Sequence, residues 1–138
     1  MKLTVLTIFF LIGFTVSGQS EKEQITETLN TYIEGFTKGK SELLKEAFYP
    51  DSNLHFTDTR NGGDKLRVIT GKNFIKNARP REGATARITQ IDYDTNAAMA
   101  RIEIVIPNQV TYTDFLLLLK YEGSWKIIQK AFTAKRNP

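Results

Sequence analysis

Two apolar runs flanking Glu122-Gly123 constrain this chain more than any other feature in it. Tyr112 to Tyr121 reads as one strand and Trp125 to Phe132 as the next, and Gly123 tolerates the positive φ that a two-residue hairpin turn needs. With that turn, Tyr121 faces Ser124 and each step outward pairs one further couple. Side chains alternate along a strand. One face is therefore expected to carry Asp114, Leu116, Leu118 and Lys120 beside Trp125, Ile127, Gln129 and Ala131. The other carries Phe115, Leu117, Leu119 and Tyr121 beside Lys126, Ile128, Lys130 and Phe132. Both faces are largely apolar, which predicts a hairpin at the centre of a sheet, covered on both sides for most of its length. The two lysines assign the second face to water, so the first, with Asp114 and Gln129 among hydrocarbon, is expected to face the interior.

The rest of the chain supplies what the hairpin packs against. Ser20 followed by Glu23 is a capping box, and after it Ile25, Leu29, Tyr32, Ile33 and Phe36 recur at helical spacing. Gly39 ends that helix near Lys38. Ser41 opens a shorter one with Leu44, Ala47 and Phe48 on one face, stopped by Pro50. Asn53 to Arg60 alternates, with Leu54, Phe56 and Asp58 on one side; Leu66 to Thr70 returns as a short strand after the turn cluster Asn61-Gly-Gly-Asp64. Thr70 caps a small helix over Gly71 to Ala78. Ala84 to Tyr93 and Ala97 to Ile106 form a further hairpin. Helices segregated from an antiparallel sheet predict an α+β fold. Covering the whole stripe of the first helix predicts a strongly curved, cone-like antiparallel sheet wrapped around the N-terminal helices, with a hollow between them.

The first eighteen residues stand apart. Met1-Lys2 is a short positive start, Leu3 to Val16 is mostly apolar, and Val16-Ser17-Gly18 offers small residues for cleavage. This is the layout of a secretory signal peptide, expected to leave a single domain over residues 19–138 in the periplasm or outside a bacterial cell, with no membrane attachment after cleavage. The chain has no cysteine, so an exported form has no disulfides and holds itself by its core. With 41% hydrophobic and 25% charged residues in 138, that core is affordable for one domain. The net charge of +4 includes a loose basic cluster at Lys65, Arg67, Lys72, Lys76, Arg79 and Arg81, read as a solvated face. It lacks a nucleic-acid motif and interleaved aromatics, so no nucleic-acid partner is expected.

Ile33-Glu-Gly35, Leu44-Lys-Glu-Ala-Phe-Tyr-Pro-Asp51, Tyr112-Thr-Asp114, Leu118-Leu-Lys-Tyr-Glu-Gly-Ser-Trp-Lys-Ile127 and Lys130-Ala-Phe132 together resemble the nuclear transport factor 2-like superfamily, in its SnoaL-like branch. Within it the chain is similar to the small bacterial proteins described as "putative lumazine-binding". The resemblance covers nearly all of the chain beyond the leader and implies the cone fold. Ketosteroid isomerases of that fold work with carboxylates and a tyrosine inside the cone, and here Asp58, Asp114, Tyr32 and Tyr112 are residues of those types.

The candidate pocket residues are Tyr32, Phe36, Phe56, Asp58, Phe74, Asp114, Leu116, Trp125 and Gln129. Asp114 is expected to be satisfied by hydrogen bonds from a neighbouring loop or from Gln129; an unsatisfied carboxylate there would instead be an acid or base. Trp125 is either a pocket wall or a core anchor. His55, the single histidine, is of the type that serves as a general base, but it has no visible partner and is read as a strand residue at the surface or a pocket rim. No catalytic residue, cofactor or metal is assigned: there is no thiolate, no dense acidic loop, no phosphate loop and no nucleophile elbow. The leading expectation is a non-catalytic, exported domain that binds a small hydrophobic or aromatic ligand or serves as a scaffold. The alternatives are an isomerase, cyclase or dehydratase using a pocket carboxylate, and a protein-interaction module. A homodimer through the sheet face is expected as well.

Overall fold

The computed structural model describes residues 19–60 and 62–138. The expected leader lies outside the described residues. Helix α1 (Glu21–Lys38) begins at the capping box, with the Ser20 hydroxyl accepting from the Glu23 amide and the Glu23 carboxylate from the Ser20 amide. It ends where Gly39 takes the left-handed conformation, φ 69°. Its buried stripe is Ile25, Leu29, Tyr32, Gly35 and Phe36. Helix α2 (Ser41–Ala47) follows and stops at Ala47 rather than at Pro50, because Phe48 already starts strand β1 (Phe48–Asp58). Then come β2 (Lys65–Thr70), α3 (Gly71–Lys76), β3 (Thr85–Asp94), β4 (Ala97–Ile106), β5 (Val110–Tyr121) and β6 (Ser124–Arg136).

The six strands form one sheet in the order β2-β1-β6-β5-β4-β3. Neighbours pair antiparallel except β1 with β6, which run parallel. The β5–β6 hairpin sits at its centre, as the apolar runs predict. The three helices lie against one face, and the core forms there from the α1 stripe, Leu44 and Phe48 with Ala100, Ile102, Ile104, Leu116, Leu118, Trp125 and Ile127. The sheet is curved and unclosed, with register breaks in β3–β4, β5–β6 and β1–β6. Such breaks bend a strand and tighten its twist.

The break in β5–β6 corrects the expected register. Tyr121 pairs with Ser124, Lys120 with Trp125, Leu119 with Lys126 and Leu118 with Ile127, all as the alternation predicts. Beyond that point Leu117 pairs with Gln129, Leu116 with Lys130 and Asp114 with Phe132. Ile128 is the extra residue of a bulge. One extra residue inverts every side chain after it. Lys130 and Phe132 therefore turn into the cone beside Asp114, while Gln129 and Ala131 turn away from it. The outward face of β5 also differs from expectation: Phe115 and Leu117 are 45% and 51% exposed, because all the helices lie on the other side.

Candidate functional site

Three polar side chains meet where α1, β5 and β6 cross. Tyr32 reaches the centre because it lies on the buried stripe of α1, one turn after Leu29. Asp114 comes from an inward position of β5, and Lys130 from β6 just past the bulge. The Tyr32 hydroxyl donates to Asp114 Oδ2 at 2.5 Å. The Lys130 ammonium donates to the same oxygen at 2.9 Å and to the Tyr32 Oη at 2.8 Å. Tyr32 and Asp114 are fully buried and Lys130 is 3% exposed. Asp114 Oδ1, buried as well, has no hydrogen-bond partner among the described residues.

The surroundings are aromatic. The Lys130 ammonium lies 4.8 Å from the ring centre of Phe132, 5.2 Å from Tyr32 and 5.4 Å from both Phe36 and Phe74. Ring faces carry negative potential, so such a shell replaces part of the hydration that the cation loses. Burial still pushes the Lys130 amine down from its ordinary value, with the Asp114 carboxylate acting against that shift. Burial, reinforced by the adjacent Asp114 charge, pushes the Tyr32 phenol well up. The cluster is thus a Lys130–Asp114 ion pair bridged by the Tyr32 phenol.

The aromatic shell continues to the surface. Phe56 stacks on Phe132 at 4.9 Å, and Tyr112 meets both Phe132 and Phe36 edge-on at 6.0 and 5.9 Å. Phe36 and Phe74 stack at 6.0 Å. On their outer side an open cleft of about 580 Å³ runs between α1, α3 and the loop after α3. Phe36, Phe74, Leu44, Ile69 and Ala78 form its apolar walls, and Arg81 lies at its edge. The two phenylalanines thus stand between this cleft and the buried cluster.

Of the residues expected in the pocket, Tyr32, Phe36, Phe74, Asp114 and Leu116 come together here, with Phe56 in the next ring of the shell. Asp58 lies further along β1 than Phe56. It is tied to Arg60 by two 2.9 Å contacts and to Arg67 at 3.8 Å, and the Arg60 bonds hold its carboxyl far below the usual range. Trp125 is a core anchor, 2% exposed, whose indole donates to Glu21 at 2.9 Å near the start of α1. It lies five residues, about 15 Å of strand, from Lys130. Gln129 is corrected: the bulge turns it to the opposite face, where its amide meets His55 Nδ1 at 2.5 Å. The partners of Asp114 are Tyr32 and Lys130 instead. Lys130, Phe132 and Arg81 were missed. The one local signal for Lys130 was Ile127-Ile128, two adjacent branched apolar residues that interrupt strict alternation.

A family profile described as "putative lumazine-binding" matches residues 20–133. Among curated proteins, the aldolase FrzH of a Cladobotryum species is 28% identical over 115 residues, covering 82% of this chain and 90% of its own length. Among solved structures, a nuclear transport factor 2-like protein of unknown function from Shewanella baltica is 31% identical with a TM-score of 0.75, covering 85% of this chain and 95% of that one. One from Methylobacillus flagellatus, also of unknown function, is 27% identical with a TM-score of 0.72, covering 89% and 99%. The matched span takes in α1, the sheet and all three members of the buried cluster, and on it the chain belongs to the "putative lumazine-binding" family of the nuclear transport factor 2-like superfamily.

Proposed function

We propose that this protein binds a small, largely apolar molecule in the cone, and that the Tyr32–Asp114–Lys130 cluster is the polar floor such a molecule meets. The observation that carries this reading is the cluster itself. A buried ion pair usually stabilises a fold no better than well-packed apolar residues of the same volume. A lysine and an aspartate at the heart of a small core therefore point to use rather than to stability. The aromatic shell supplies apolar surface, and the cleft behind Phe36 and Phe74 is a concave site of mixed polar and apolar lining. Phe74, half-buried on a helix of six residues, stands between the cleft and the cluster.

The test is native mass spectrometry of freshly purified protein, with lumazine titrated into the stripped form. Ala78→Trp fills the cleft and is expected to abolish both a retained ligand and lumazine binding. A bare chain mass together with no lumazine binding counts against the reading. Export belongs to the same proposal: intact mass from the native host is expected to begin near Gln19, and Met1 retained in a soluble cytoplasmic fraction overturns that part.

One observation favours catalysis at the same place. Among the described residues Asp114 Oδ1 has no partner although it is buried, which leaves one carboxylate oxygen uncommitted to the fold. Tyr32 and Lys130 on the other oxygen's side are donors suited to a carbonyl oxygen. The similarity to a protein named as an aldolase supports carbonyl chemistry as the reaction type. In this reading Asp114→Asn, which keeps the hydrogen-bond acceptor but loses stability with the charge, retains ligand and loses turnover at a temperature where circular dichroism shows it folded; unchanged turnover removes Asp114 from the chemistry.

A further inference from the structure

The geometry points to an anionic ligand: we infer that the cleft between α1 and α3 takes an apolar organic carboxylate, with Arg81 as its anchoring residue. This rests on the ligand-binding reading above and adds the class of ligand. The cleft's polar lining is one-signed. Lys76, Arg79 and Arg81 reach it, with the amides of Asn73 and Asn77, and among the described residues no carboxylate does. The basic stretch that reads in sequence as a solvated face is thus partly folded around a concave, aromatic-walled site.

Arg81 is the built part. Its loop is pinned to the end of α1: the Arg81 amide donates to Thr37 O at 2.8 Å, and Pro80 bridges to Lys38. A Cβ on Gly39 would lie 2.4 Å from Pro80 N, so the two segments touch backbone to backbone. The guanidinium lies 3.6 Å over the Phe36 ring. Nη1 donates to Phe36 O at 2.7 Å and to Arg79 O at 2.9 Å. Among the described residues, Nε and Nη2 have no acceptor and no carboxylate lies within salt-bridge distance. Burial pushes the group down from its ordinary value, with Tyr112 acting against that shift and Arg79 adding to it. A guanidinium held flat on a ring, with one edge used and the other open, is prepared for a bidentate oxyanion. The hydrocarbon body of that ligand then lies against Phe74, Ile69 and Ala78.

The experiment compares 2-naphthoate with 2-naphthamide by titration calorimetry on the folded chain. The two share ring and shape and differ in charge. The acid is expected to bind at least about tenfold tighter, a charge-assisted pair being the difference. That preference is expected to shrink as salt rises from ~50 to ~500 mM, since partly exposed pairs are screened. Arg81→Met is expected to bring the two affinities together, and Ala78→Trp to abolish both. Should Arg81→Met fail to fold, the acid-over-amide preference and its loss in Ala78→Trp still decide. Equal binding of acid and amide overturns the inference and leaves the ligand-binding reading standing. A preference that survives both substitutions also overturns it, by placing the anion elsewhere. Binding of neither compound overturns it together with that reading.

Discussion

At the scale of single residues, the centre of this molecule is a charge pair that the core must compensate. Asp114 Oδ2 takes two donors, and Lys130 gives one bond to the phenol and one to the carboxylate, inside a ring of four aromatic groups. Removing one member strands the other. Lys130→Met leaves a buried carboxylate with a phenol alone, and Asp114→Leu leaves a buried ammonium; each is expected to cost about 3–5 kcal/mol. The double substitution removes both charges at once and is expected to cost much less than the sum. Chemical denaturation of the two single variants and the double variant measures the coupling. Strictly additive losses would show that the two charges stabilise the fold independently.

At the scale of elements, two contacts decide how α1 sits. The first is Gly35, where α1 meets α2: an added Cβ would lie 2.9 Å from Leu44 Cδ2 and 3.0 Å from Leu44 N. Leu44 is itself 1% exposed, so neither partner has room to move. Gly35→Ala is expected to destabilise by about 1–3 kcal/mol, the usual range for overpacking. Its gain in helix propensity is smaller, and a raised midpoint of denaturation would refute the close approach. The second contact is the start of α1. Glu21 accepts from Lys120 at 2.6 Å and from Trp125 at 2.9 Å, and these bonds, that from Lys120 first, hold its carboxyl below the ordinary value. A depressed folded value means stability that is present above the unfolded value and lost as pH falls through the folded one. The start of α1 is therefore expected to loosen in acid, below about pH 4. Trp125 fluorescence reports it directly. An acid transition in the wild type that is missing in Glu21→Gln supports the anchor, and identical profiles contradict it.

The same elements show what could be read in the chain and what could not. The α1 stripe, its capping box and Gly39 are local features, and each stands where the spacing predicts. The β5–β6 turn and its first four pairs are equally local. The bulge at Ile128 is not, because its position answers to the curvature the whole sheet needs to wrap α1. Periodicity carried straight through it, which sent Lys130 to water and Gln129 inward. Asp114 was recognised as a carboxylate in an apolar setting, but its partners lie on other elements across that bulge. Arg81 was hidden for a similar reason: a loop residue has no periodicity, and its pinning to α1 is a tertiary fact.

At the scale of the whole molecule, the sheet has one face to spare. All three helices pack on the concave side, so β4 and β5 present Met99, Phe115, Leu117, Leu119 and Tyr121 outward, each at least 40% exposed. These side chains alternate along two paired strands, Met99 opposite Leu117 and Arg101 opposite Phe115, and so form one continuous patch. Contiguous apolar surface of this kind marks an interface more often than a free surface. The occupant proposed is a second copy of the chain, sheet against sheet. A two-fold arrangement lets one patch serve as its own complement, and two such faces pack at about 10 Å with interdigitated side chains. Leu117, the most exposed of the five, is the residue to change. Leu117→Lys places a charge in the middle of the patch, where a partner sheet would have to desolvate it. It lies on no core contact of its own chain, so the folded protomer is expected to survive while the dimer dissociates. Sedimentation equilibrium checks this: the wild type is expected at twice the chain mass at micromolar concentration, and Leu117→Lys at the chain mass with unchanged circular dichroism. A wild-type monomer at high micromolar concentration would leave the patch without the partner proposed for it.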